Sequence, residues 1–184
     1  MHFHFGTRKI VEAAAVVLRT ERCGRMSYLR LVKLLYIADR ESLRETGRPI
    51  VGTRPVAMEY GPVLSEVLDL VKGQHRDEAV WAEFIREDGY AVELHGNPGV
   101  RSLSRYEIER LAKTAEEYRN TDDWAIVEQT HTFKEWRDNY REGTSVTIPL
   151  EHMLEAVGRA EEQDEILQEA ERTTVLRRLL SSAA

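Results

Sequence analysis

Asp122, Asp123 and His131 come closest in the chain to acid–base chemistry: two carboxylates and, eight to nine positions later, an imidazole. Such groups move protons when a fold brings them within hydrogen-bond reach of a substrate. His131 sits between two threonines, however, and a histidine so placed is more often structural than catalytic. Nucleophilic chemistry would need Cys23 or a serine beside a base. Cys23 lies among Glu21, Arg22 and Arg25 and reads as an incidental thiol. His2 and His4 lie two apart near the N-terminus, and His75, His95, His131 and His152 are scattered, so no pair is spaced to put two imidazoles on one helix face. No metal or cofactor is expected. The chain also lacks the glycine-rich phosphate loop, the dinucleotide-binding turn and the Gly-x-Ser-x-Gly elbow. An enzyme centred on Asp122, Asp123 and His131 is the least supported reading.

Nucleic-acid recognition is weakly supported too. The formal net charge is −6, whereas neutralising phosphates calls for a basic face. A helix opened by Gly61 and Pro62 and running to Lys72 would be the one to enter a groove. It carries Glu66 and Asp69 against a single lysine, and no Arg, Asn or Gln to read base edges. Arg40, Arg44, Arg48 and Arg54 form a basic cluster, but Glu41 and Glu45 are interleaved, as in helical surface ion pairs. What remains is protein contact. Tyr60, Trp81, Tyr90, Trp124 and Trp136 are large aromatics, the residue class that anchors interfaces. The candidate partner surface is the Tyr60, Gly61, Pro62 corner, then Glu66 and Asp69, and the turn at Asp88 and Gly89.

The elements that would position these residues are mostly helical. Thr7 is a candidate N-cap for a helix with an apolar stripe at Ile10, Ala13, Ala14, Val17 and Leu18. Ser27 can cap a second helix, rich in leucine, which Gly47 and Pro49 stop. Residues 50–60 read as extended loop with a short strand at most. Proline in a first helical turn loses no needed donor, so Pro62 fits the start of a third helix, ended by Gly73. Residues 81–86 and 90–94 look like two strands around a tight turn at Asp88-Gly89. Ser104 with Glu107 makes a capping box, and Leu103 and Ile108 are spaced as its hydrophobic staple. Asp122 or Asp123 can cap a short helix through Val127, and Pro149 begins another. Beyond Gly158 the chain is helical in composition. Six acids fall between positions 161 and 171 with no Lys or Arg until Arg172, followed by Arg177 and Arg178 beside Leu176, Leu179 and Leu180. The order helix, helix, helix, hairpin predicts a mainly α (α+β) fold with a winged-helix-like core.

The run LVKLLYIADRESLRETGRPI, followed by VAMEYGPVLSEVLDLVKG, resembles the Panacea, or SocA-like antitoxin, domain. The matching motifs are Leu31 to Ala38, the Thr46-Gly47-Arg48-Pro49 turn and Tyr60-Gly61-Pro62. The similarity continues through LSRYEIERL to Thr130, His131 and Trp136 and covers about residues 8–157. Residues 1–157 are then the domain, and residues 158–184 an amphipathic helical extension. The physical roles that fit are structural. Lys33 would lay its stem along apolar surface with the ammonium at the edge. Tyr36, Gly47 and Pro49 would shape the second helix and its stop, and His131 and Trp136 would lock later helices on the core by a buried hydrogen bond. The resemblance implies an antitoxin that neutralises a cognate protein toxin, typically encoded next door, by sequestering it or by delivering it to a Clp-type protease. A winged-helix transcriptional regulator on DNA is the alternative.

A lone cysteine cannot form an internal disulfide, and the apolar run at residues 13–18 is far too short to cross a bilayer. The expectation is a cytoplasmic protein without membrane contact, made of one domain long enough to bury a core.

Overall fold

The first helix is so rich in alanine and valine that it has no face suited to water, and it lies at the centre. The computed structural model describes Phe3 and residues 5–182; His2 and His4, and the side chains of Arg177, Arg178, Leu180, Ser181 and Ser182, lie outside the described residues. Helix α1 (Thr7–Leu18) buries every residue from Ile10 onward. Its N-cap is Gly6 and not Thr7, because the Thr7 hydroxyl is used elsewhere, donating to Asp77 at 2.7 Å. Strand β1 (Arg25–Ser27) leads into α2 (Tyr28–Thr46). Ser27 caps α2 by accepting from the Arg30 N–H, and Gly47, with φ 74°, ends it in the left-handed conformation that glycine adopts without penalty.

A hairpin then stands where a helix start is expected. Strands β2 (Pro55–Met58) and β3 (Gly61–Leu64) pair antiparallel, Ala57 opposite Pro62, and α3 (Ser65–Val71) begins only afterwards. All four residues of β3 are buried, so the run shows no alternation and cannot be told from helix by pattern. Pro62 is tolerated because β3 is an edge strand, in a sheet of order β3-β2-β6.

Helix α4 (Glu78–Ala82) takes in Trp81, expected in a strand, and turns its ring into the core. The second hairpin, β4 (Ile85–Asp88) and β5 (Ala91–Leu94), turns through Gly89 and Tyr90, and β5 also pairs with β1 to give a sheet of order β1-β5-β4. A first helix, a strand, further helices and a hairpin that joins that strand make a winged-helix-like core, with β2–β3 inserted between α2 and α3. The rest is α5 (Arg105–Glu117), α6 (Asp123–His131), α7 (Lys134–Asn139), β6 (Val146–Thr147), α8 (Leu150–Ala156), a 3₁₀ turn (Ala160–Glu162) and α9 (Gln163–Ser182). The Ser104–Glu107 capping box forms at the head of α5. The fold class is mainly α with two small antiparallel sheets. Among the described residues no helix is long and apolar enough to cross a membrane.

Candidate partner-binding surface

The β2–β3 turn is held from below by three helices. Gly61 has φ 89°, and a Cβ there would lie 2.4 Å from Thr130 Oγ1 and 2.8 Å from Lys33 Nζ. Only glycine permits so close an approach. Lys33, on α2, is wholly buried, in contrast to the expected edge position, and its Nζ donates to the Pro62 carbonyl at 2.8 Å. Desolvation lowers its pKa from 10.5 to about 7. Trp136, on α7, donates from Nε1 to the Met58 carbonyl at 2.9 Å. His131 stacks on Trp136 at 4.2 Å between ring centroids, and Trp136 on Tyr140 at 4.7 Å. The His131 Nε2 is buried without a hydrogen-bond partner among the described residues. Burial, with the neighbouring Lys33 second, lowers its pKa. So of the expected pair of locks, Trp136 donates a hydrogen bond to the Met58 carbonyl, and His131 adds a stacked ring and a hydrogen bond to the Glu59 backbone.

Above this base the turn presents Glu59 and Tyr60 to solvent. Tyr60 meets Trp124 edge to face, 5.6 Å between centroids, and the two residues are 53% and 56% exposed. Trp124 is placed by its two preceding acids. Asp122 caps α6, accepting from the Trp124 N–H at 2.9 Å, while Asp123 accepts from Ser27 Oγ at 2.5 Å and from Arg30 at 2.9 Å. Arg30 also donates to the carbonyls of Thr121, Tyr118 and Arg119 at the end of α5. Beyond Ser27, Tyr28 stacks with Tyr90, which is 83% exposed in the second hairpin turn next to Asp88 and Gly89. A chain of contacts thus links the two turns, from Tyr60 and Trp124 through Asp123 and Ser27 to Tyr28 and Tyr90.

The expected acid–base trio does not assemble. Asp122 and Asp123 stand at the head of α6 and His131 is its last residue, about 12 Å apart along the axis at 1.5 Å per residue. Both acids are spent on caps and on Arg30. Among the described residues no group of three His, Cys, Asp or Glu side chains is placed to hold a metal, and Cys23 is an exposed thiol.

Of the residues expected to touch a partner, Tyr60, Asp88 and Gly89 are exposed, Gly61 and Pro62 are buried beneath Tyr60, and Glu66 and Asp69 are half-buried on α3. Lys33, Gly61, Pro62, His131 and Trp136 converge on one turn, from both expected categories. Tyr36 is buried on α2, donating to Glu135 Oε1 at 3.0 Å beside Arg40, which donates to the same oxygen at 2.8 Å; burial first, then Glu135, raises its pKa. Two features escape a reading of the sequence. Asp39 is buried and accepts from the N–H groups of Ile50, Val51 and Gly52 at 3.0, 2.6 and 2.9 Å, organising the chain after Pro49. An acid inside the apolar run of α2 is the signal that points to it. Trp124 as a partner of Tyr60 has no local signal.

A family model described as "Antitoxin SocA-like, Panacea domain" matches residues 31–137. The chain belongs to this family. The match runs from α2 into α7 and so encloses the β2–β3 turn, Trp124, His131 and Trp136, while α1, α8 and α9 lie outside it. No curated protein and no solved structure matches the chain. Membership in a SocA-like antitoxin family implies a toxin as partner.

Proposed function

We propose that this Panacea protein is an antitoxin that neutralises a cognate protein toxin by binding it, and that the toxin docks over the β2–β3 turn and the head of α6. The observation that carries this reading is the Tyr60–Trp124 pair: two large rings, each more than half exposed, on a base fixed by buried side chains within the family-matching segment. Exposed aromatics on a rigid support give contact area at low entropic cost, as interface anchors do. A DNA-reading role is not favoured: α3 has seven residues and carries Glu66 and Asp69.

Co-expression with the product of the adjacent gene tests the proposal. A complex that co-purifies and relieves growth arrest, and that weakens in Tyr60→Ala and Trp124→Ala, supports it. Relief without a stable complex moves the mechanism to delivery to a Clp-type protease; the absence of both complex and relief overturns the antitoxin reading.

A further inference from the structure

The exposed rings of Tyr60 and Trp124 are framed by carboxylates. Glu59 precedes Tyr60 in the turn, Asp122 caps the helix that carries Trp124, and Glu128 lies one helical turn after Trp124 on the same face. All three are exposed, and none forms an ion pair among the described residues. Three cations of β1 and α2 are engaged elsewhere. Lys33 is buried against the Pro62 carbonyl, Arg30 is held by Asp123 and three carbonyls, and Arg25 pairs with Asp88. Elsewhere the chain covers its own rings with cations: Arg8 over Phe84 at 4.8 Å, Lys9 over Phe5 and Arg40 over Phe133, each at 4.2 Å. At Tyr60 and Trp124 the rings are ready and the acids are present, but among the described residues no cation lies over either ring.

We infer that this surface receives a basic face of the partner protein, with an arginine or lysine side chain seated on the Tyr60–Trp124 rings between Glu59, Asp122 and Glu128. Ring faces carry negative potential, and flanking carboxylates deepen it, so a guanidinium is held by stacking and by charge together. The same acids steer a basic partner during approach and repel a second copy of this chain, whose formal net charge is −6. The inference rests on the antitoxin reading for the identity of the partner, but the surface can be tested on the full chain alone.

The probes are three short peptides that alternate glycine with arginine, with citrulline or with glutamate. The readout is the Trp124 indole N–H resonance, assigned by its loss in Trp124→Phe. The arginine peptide is expected to shift it saturably, with affinity falling roughly tenfold between about 50 and about 300 mM salt, as for exposed charges under screening. The Glu59→Lys/Glu128→Lys variant, and Asp122→Ser, which keeps the cap acceptor, weaken the response while their melting curves show a folded protein. An equal response to the citrulline peptide, or none to arginine, overturns the inference. So does concentration-dependent self-association that perturbs the same resonance, which would assign the surface to a second copy. The toxin complex is scored separately. If it forms at unchanged affinity with Glu59→Lys/Glu128→Lys, the basic-face inference fails and the antitoxin reading stands; if wild type forms no complex and gives no relief, that reading fails while the peptides still judge the surface.

Discussion

Lys33 donates to the Pro62 carbonyl at 2.8 Å with none of its side chain in water. The chain therefore buries an amine to hold a turn 29 residues away. With its pKa lowered from 10.5 to about 7, Lys33 contributes stability that is fully present above pH 10.5 and is lost as pH falls through about 7. The whole effect is about 5 kcal/mol at 1.36 kcal/mol per pH unit. Lys33→Met removes it and gives up one hydrogen bond, leaving the Pro62 carbonyl unpaired at a cost of about 1–3 kcal/mol. The variant is expected to be more stable than wild type by about 2 kcal/mol at pH 7, with the gain gone or reversed near pH 10. Urea denaturation at the two pH values measures this.

Asp39 works in the opposite sense on the same helix. Its carboxylate satisfies three backbone N–H groups, and Asp39→Ala leaves them buried and unpaired. A loss of about 4 kcal/mol is expected, at roughly 1–3 kcal/mol for each buried unsatisfied group. Burial raises the Asp39 pKa from 3.8 to about 6, so its titration contributes stability that is present below pH 3.8 and lost as pH rises through about 6. The gap between wild type and Asp39→Ala should accordingly be wider near pH 5 than near pH 8 in chemical denaturation.

These two residues also mark where the sequence stops being legible. The Ser27 cap, the Gly47 stop and the Ser104–Glu107 box are local chemistry, settled within four residues, and each stands in the structure as the residues predict. Lys33 amid leucines looks like a side chain that reaches for water, because its acceptor lies in a turn that no local pattern announces. That turn was hidden for a related reason: Gly61 to Leu64 is buried on both faces, and its sheet is completed by Val146 and Thr147, some ninety residues from β2. Tyr60 and Trp124 are likewise brought together only by the tertiary fold. The motifs that mark the family thus identify a structural base, while the candidate contact surface stands on top of it.

Part of the C-terminal region packs on the core. Ile166 and Ala170 are buried in the core, with Ile166 packed against Gly47. Arg159 donates to the carbonyls of Arg44 and Glu45 at 2.7 and 2.8 Å, satisfying the end of α2, and Arg48 pairs with Glu169 at 3.3 Å. Truncation after Gly158 is expected to cost about 3 kcal/mol or more, from a lost core isoleucine and uncovered carbonyls. Val175→Ala/Leu176→Ala, at two exposed positions further along α9, should change stability by less than about 0.5 kcal/mol. Melting curves of the truncated chain and of this double variant separate the part that belongs to the core from the part that does not.

Gly61→Ala tests whether the base of the turn controls the surface above it. The new methyl would stand 2.4 Å from Thr130 Oγ1 in a residue whose φ of 89° already disfavours a side chain. Thr130 cannot retreat, being fully buried with its hydroxyl donating to the Val127 carbonyl at 2.8 Å. A loss of about 2–3 kcal/mol is expected from backbone strain and the clash together. Thr130→Ala removes the clashing oxygen, so Gly61→Ala/Thr130→Ala should be more stable than the sum of the two single changes predicts. Tyr60 follows Gly61 in any shift of the turn, so Gly61→Ala is also expected to weaken toxin binding. Tyr60→Ala, at an exposed position, should weaken binding at nearly unchanged stability. Binding that survives Gly61→Ala but fails in Tyr60→Ala would show that the ring contacts the toxin without needing the turn held in place.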